Sequence, residues 1–131
     1  MIFEESVVLA QPFDEVVSQI KDALASQGFG VLTQIDVQAT LREKLGKAMG
    51  RYLILGACNP PLASRALDLE PQVGVLLPCN VVVREAEDGV VVEAMDPGVI
   101  ATLAGQPELK PIADDARRRI GEALRRLSAT A

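Results

Sequence analysis

A chain of 131 residues with 49% hydrophobic and 24% charged residues can bury a sizeable core without a metal or disulfide, and it is too apolar to stay disordered. Its net charge of −5 excludes a general polyanion binder, so no nucleic-acid partner is expected. The absence of histidine excludes Ser-His-Asp and Cys-His nucleophile pairs and removes the commonest zinc ligand. Two cysteines alone cannot close a Cys₄ site, so neither a metal nor a cofactor is expected. Aromatic residues are 3% of the chain, so the core must be aliphatic. The start, Met-Ile-Phe-Glu-Glu, has no basic segment or long apolar run, and no stretch approaches the ~20 apolar residues of a membrane span. The expectation is a single domain over residues 1–131, cytoplasmic, without a membrane partner and with reduced thiols.

Residues 3–9 read as a first strand, broken at Gln11-Pro12. Helix one follows to about Gln27, with Phe13, Val16, Val17, Ile20, Ala23 and Leu24 as its apolar stripe and Gly28 placed to stop it. Residues 30–39 alternate like a strand with one wet face. Thr40-Leu41-Arg42-Glu43 matches a capping box and predicts a short helix to Leu45. This is the most locally basic stretch, with Arg42, Lys44, Lys47 and Arg51. It is either a solvated helix face or an anion-binding rim.

The organising unit is residues 51–83. Residues 51–58 predict an interior strand, apolar on both faces. Asn59 fits a helix N-cap and Pro60 the first helical position. The helix runs to Leu69, with Leu62, Ala63, Ala66, Leu67 and Leu69 turned inward. Residues 74–84 predict a second central strand with Pro78 marking a bulge or a switch to unpaired backbone. Glu87-Asp88-Gly89 predicts a tight turn, and residues 90–95 pair back as a hairpin. A short helix over 97–104 and a last helix over 111–127 complete the chain. The arginines of the last helix sit at i,i+4 from acids, as in Asp114–Arg118, Asp115–Arg119 and Glu122–Arg126, which supports the helix rather than a basic patch. The order β-α-β-α-β-α-β-β-α-α, with a hairpin, predicts an α+β fold. Its sheet is mixed or partly antiparallel, with helices packed on a face.

Cys58-Asn59 and Cys79-Asn80 both stand where an apolar strand gives way to asparagine. Each cysteine reads as a small buried hydrophobe, as half of a ligand-contacting or redox pair, or as half of a disulfide. Each asparagine reads as a backbone-capping group or a ligand contact.

The segments Phe29-Gly30-Val31-Leu32, 35–41, Leu55-Gly56-Ala57-Cys58-Asn59-Pro60 and 76–83 resemble the signature of a bacterial and archaeal family, the domain of unknown function family 302. The resemblance spans nearly the whole chain. It implies a small α+β domain, a homodimer, and that both Cys-Asn dipeptides are family features, but no activity. Members often carry His where this chain has Ser64, a departure that removes an imidazole beside Cys58-Asn59. The expected function is a dimeric binding module for a small ligand, anionic or thiol-reactive, held near Cys58, Asn59, Cys79 and Asn80, with Lys44 and Arg65 supplying charge. The alternatives are a thiol-dependent enzyme using Cys58 or Cys79, and a structural scaffold without ligand.

Overall fold

A five-stranded antiparallel sheet in the order β1-β5-β4-β3-β2 carries the helices in a computed structural model that describes residues 6–130. The strands are β1 (Val7–Leu9), β2 (Gly30–Asp36), β3 (Tyr52–Cys58), β4 (Cys79–Ala86) and β5 (Gly89–Ala94). The helices are α1 (Phe13–Ser26), α2 (Val37–Leu45), α3 (Pro60–Leu69), α4 (Gly98–Ala104) and α5 (Lys110–Thr130). The fold is α+β, as the element order predicts. The part of the expected first strand before Ser6 lies outside the described residues.

The inner face of the sheet is set by register. Leu53, Leu55 and Ala57 of β3 lie opposite Val83, Val81 and Cys79 of β4, and Val83 and Val81 lie opposite Val92 and Ala94 of β5. Every one of these is buried. Period-2 alternation then sends Tyr52, Ile54, Gly56, Asn80, Val82 and Arg84 to the other face. That second face carries no helix with a buried stripe, and Val8 and Ile35 on it are each 50% exposed.

Helices α1 and α5 close the core from the inner side. The buried stripe of α1 is the predicted one, and its carboxylates Asp14 and Glu15 stand in the first turn, where the helix dipole favours them. In α5, Ile112, Ala116, Ile120, Ala123, Leu124 and Leu127 are buried against it. Ion pairs within α5 include Lys110–Asp114, Asp115–Arg118, Asp115–Arg119 and Glu122–Arg125, so Asp114 faces backward to Lys110 rather than forward to Arg118. Arg51 spans α1: its guanidinium pairs with Asp14 at 2.9 Å and lies 4.2 Å from the centre of the Phe13 ring.

Three local expectations are corrected. The second strand ends at Asp36, not Ala39, because the Asp36 carboxylate accepts from the Ala39 amide at 2.9 Å and caps α2 four residues before Thr40. The strand expected over residues 74–84 begins only at Cys79. Pro71–Leu76 forms a 3₁₀ segment, and the Leu77-Pro78 peptide bond is cis. In α3, Leu62 and Ala66 are buried, but Leu67 and Leu69 are exposed.

Candidate functional site

β3 and β4 end together. Their register places Ala57 directly opposite Cys79, so the two Cys-Asn dipeptides lie at one end of the sheet. Burial divides them. Cys79 follows Ala57 to the inner face and is 5% exposed, whereas Cys58, the last residue of β3, is only partly buried. The two thiols are free. Burial, together with the nearby Cys58 sulfur, pushes the Cys79 thiol up to about 11, so it is protonated at neutral pH.

Asn59 is held by the backbone. Its Oδ1 accepts from the Leu62 amide at 3.2 Å, the N-cap bond of α3, and its Nδ2 donates to the Gln27 carbonyl at 3.4 Å. Arg119 Nη1 donates to the same carbonyl at 3.1 Å, and Arg119 Nε donates to Asp115 at 3.0 Å. One carbonyl at the end of α1 thereby ties α3 and α5 together. Gly28 follows it with φ +82°, and a Cβ there would stand 3.0 Å from Asn59 Nδ2. Conformation and space both call for glycine.

Beneath this end of the sheet lies a cavity of about 40 Å³, measured as room for the centres of water-sized groups. Space for one water takes ~10–15 Å³ on that measure, so the cavity admits roughly three such groups. Its walls include Phe29, Ala57, Leu62, Leu77, Ile100 and Ile112, with Cys58, Asn59 and Cys79 as the groups bearing sulfur or polar atoms. No lysine, arginine or carboxylate lines it among the described residues. Sequence reasoning missed Ile100, Leu109 and Ile112 as site residues. Their only signal was an apolar position on a short helix, in a turn or in a stripe.

The other residues expected at the site stand elsewhere. Asn80 is exposed, opposite Gly56, and its carbonyl accepts from the Met95 amide at 3.0 Å. Arg65 is exposed on α3 and does not border the cavity. Lys44 is exposed on α2. Arg42 and Lys47 border a separate shallow cleft with Gln38, whose Nε2 donates to the Met49 carbonyl. No residue lines both this cleft and the cavity.

At Gly56 the outer face is crowded. A Cβ there would overlap Thr33 Oγ1 and come within 2.8 Å of Pro78 Cγ. Pro78 thus packs across the end of β3, beside the point where Cys79 enters the sheet.

Among the described residues, no three His, Cys, Asp or Glu side chains gather as a metal site would need, and no helix is long and apolar enough to cross a membrane. The profile of the family described as "Domain of unknown function DUF302" matches residues 5–127. A crystal structure of an uncharacterized conserved protein DUF302 from Bacillus stearothermophilus is similar over 92% of this chain and 94% of that one, at 31% identity and a TM-score of 0.86. No curated protein matches the chain.

Proposed function

The chain belongs to the DUF302 family, a family of unknown function, and on that footing we propose that it is a non-enzymatic binding module taking a small, uncharged, apolar ligand into the cavity beside Cys79. One observation carries this reading. The cavity is walled by aliphatic side chains from both the sheet and the helices, and its innermost thiol is protonated at neutral pH. Such a wall rewards apolar surface and offers an anion no counter-charge. The anionic ligand expected from the basic stretch has its cations at a different place, on and after α2. A thiol-enzyme reading is weaker, because Cys79 is held as a thiol and no histidine stands by as base.

The test is methyl NMR of the full chain titrated with 1-butanol. The expected result is shifts confined to methyl groups of Leu62, Ile100 and Ile112, lost in Ala63→Phe, which places a ring at the partly exposed edge of the cavity. Shifts absent from the wild type, or unchanged in Ala63→Phe, overturn the reading.

A second copy is assigned to the outer sheet face. Ile35, Ile54 and Val82 form one apolar row there across β2, β3 and β4, bordered by the Arg84–Glu93 ion pair, and a twofold axis lets one such row meet itself. Light scattering should give twice the chain mass, falling to one chain in Ile35→Lys/Val82→Lys. A wild type at one chain mass rejects the homodimer. Free cysteines fit a reducing compartment, and the cytoplasm is the proposed location.

A further inference from the structure

We infer that the ligand of the cavity carries an aliphatic chain longer than the cavity holds, and that the outer part of this chain lies on an uncharged lip formed by the 3₁₀ segment and α4. The inference rests on the cavity reading above and names the class of compound that fits it.

Four of the eight exposed large apolar side chains among the described residues gather in one place. Leu67, Leu69, Val75 and Leu103 stand on α3, the 3₁₀ segment and α4, and the 3₁₀ segment packs on both helices beside the cavity. Val75 is 88% exposed and Leu103 60%. Helical spacing ties them to the wall. Leu103 is three residues beyond Ile100, Leu69 three beyond Ala66, and Leu67 four beyond Ala63, and each of those earlier residues lines the cavity. Val75 precedes Leu77, which also lines it, and Leu76 between them is packed on the core. Apolar surface therefore continues outward from the cavity wall rather than stopping at its edge.

Charge is missing from the 3₁₀ segment and α4, although α3 carries Arg65 and Asp68. Residues 71–83 and 97–107 contain no Asp, Glu, Lys or Arg, in a chain that is 24% charged. A solvated surface of this protein elsewhere carries ion pairs, as on α5. A lip without them suits a hydrocarbon lying along it and disfavours a charged peptide or nucleic acid. The cavity itself has room for roughly three water-sized groups. A longer chain must leave it, and the surface it meets is this lip.

The experiment is a chain-length series. The full-length protein is titrated with 1-butanol, 1-hexanol, 1-octanol and 1-decanol, and dissociation constants are read by NMR. Full burial of a methylene tightens binding about fourfold, and covering one side of it about twofold. Affinity should rise about twofold per carbon from 1-butanol to 1-decanol. Val75→Asp/Leu103→Asp changes exposed positions only. It should flatten this rise and leave 1-butanol affinity unchanged. A wild-type plateau at 1-butanol overturns the lip and leaves the cavity reading standing. A rise that persists unchanged in the double variant puts the chain elsewhere and also overturns it. Failure of every alcohol to bind removes the cavity reading and this inference with it.

Discussion

Replacing Asn59 by alanine separates a structural role for this residue from a ligand-binding one. Among the described residues it is the one buried polar side chain, 6% exposed. An exposed N-cap is worth about 1 kcal/mol, because water replaces part of the lost bond. Here the amide released is that of Leu62, itself buried, so replacement is poor and the loss moves toward about 2 kcal/mol. The second bond adds little. At 3.4 Å it is long, and the Gln27 carbonyl keeps Arg119 as a donor. The expected loss is about 2 kcal/mol in urea unfolding followed by circular dichroism, or roughly 8 °C in Tm for a chain of this size. Asn59→Asp keeps the acceptor at the helix start and should cost less than half as much. A loss below about 0.5 kcal/mol for Asn59→Ala, or equal losses for the two variants, would refute the capping argument.

Native Cys79 should resist iodoacetamide at pH 8 and react only as the pH nears 11, whereas the unfolded chain reacts around 9; intact mass with peptide mapping checks this. The same raised pKa means that the unfolded thiol ionises first. Stability is therefore unaffected by Cys79 below pH 9 and falls as pH rises from about 9 toward 11, a decline absent from Cys79→Ala. Gly56→Ala should destabilise by about 1–3 kcal/mol, since the new methyl meets Thr33 and Pro78, and Thr33→Ala in the same chain should restore part of it; a double-mutant cycle without coupling rejects the contact. Asp115 is held below the usual carboxylate range, first by its hydrogen bond from Arg119 and also by that from Arg118. Its contribution is present above its ordinary pKa and lost as pH falls through the lowered value. At a partly exposed ion pair it is small: Asp115→Asn should cost under about 1 kcal/mol at low salt and less at 1 M salt.

Much of this architecture is legible in the residues, and the exceptions have physical causes. The stripe of α1 and the hairpin at Asp88-Gly89 were readable because each is a local pattern that its own neighbours satisfy. Residues 74–77 misled for the opposite reason. Val75, Leu76 and Leu77 have strand character, yet proline on both sides and Gly74 within let the backbone turn, and Val75 ends up in solvent. The start of α2 is expected at Thr40, but β2 runs into the helix with no turn residue between them, and only the folded chain shows the Asp36 carboxylate as its cap. That Cys58 and Cys79 are neighbours followed from two adjacent strands. That both border one cavity depends on Ala57 facing Cys79, a register fact one residue wide. The cavity was out of reach, since its far wall comes from Ile100, Leu109 and Ile112, some forty residues or more beyond β3.

Strand β1 is paired along one edge with β5, Val7 opposite Val92 and Leu9 opposite Val90. During synthesis its only partner in the sheet is therefore made roughly 80 residues later, several seconds at ribosomal speed. Until then Val7, Val8 and Leu9 hang beside a helix that already has its own apolar stripe to bury, with no backbone to bond to. The first strand of this sheet to be made is the last to find its place in it, and a newly made chain cut short of β5 would have a sheet open at that edge.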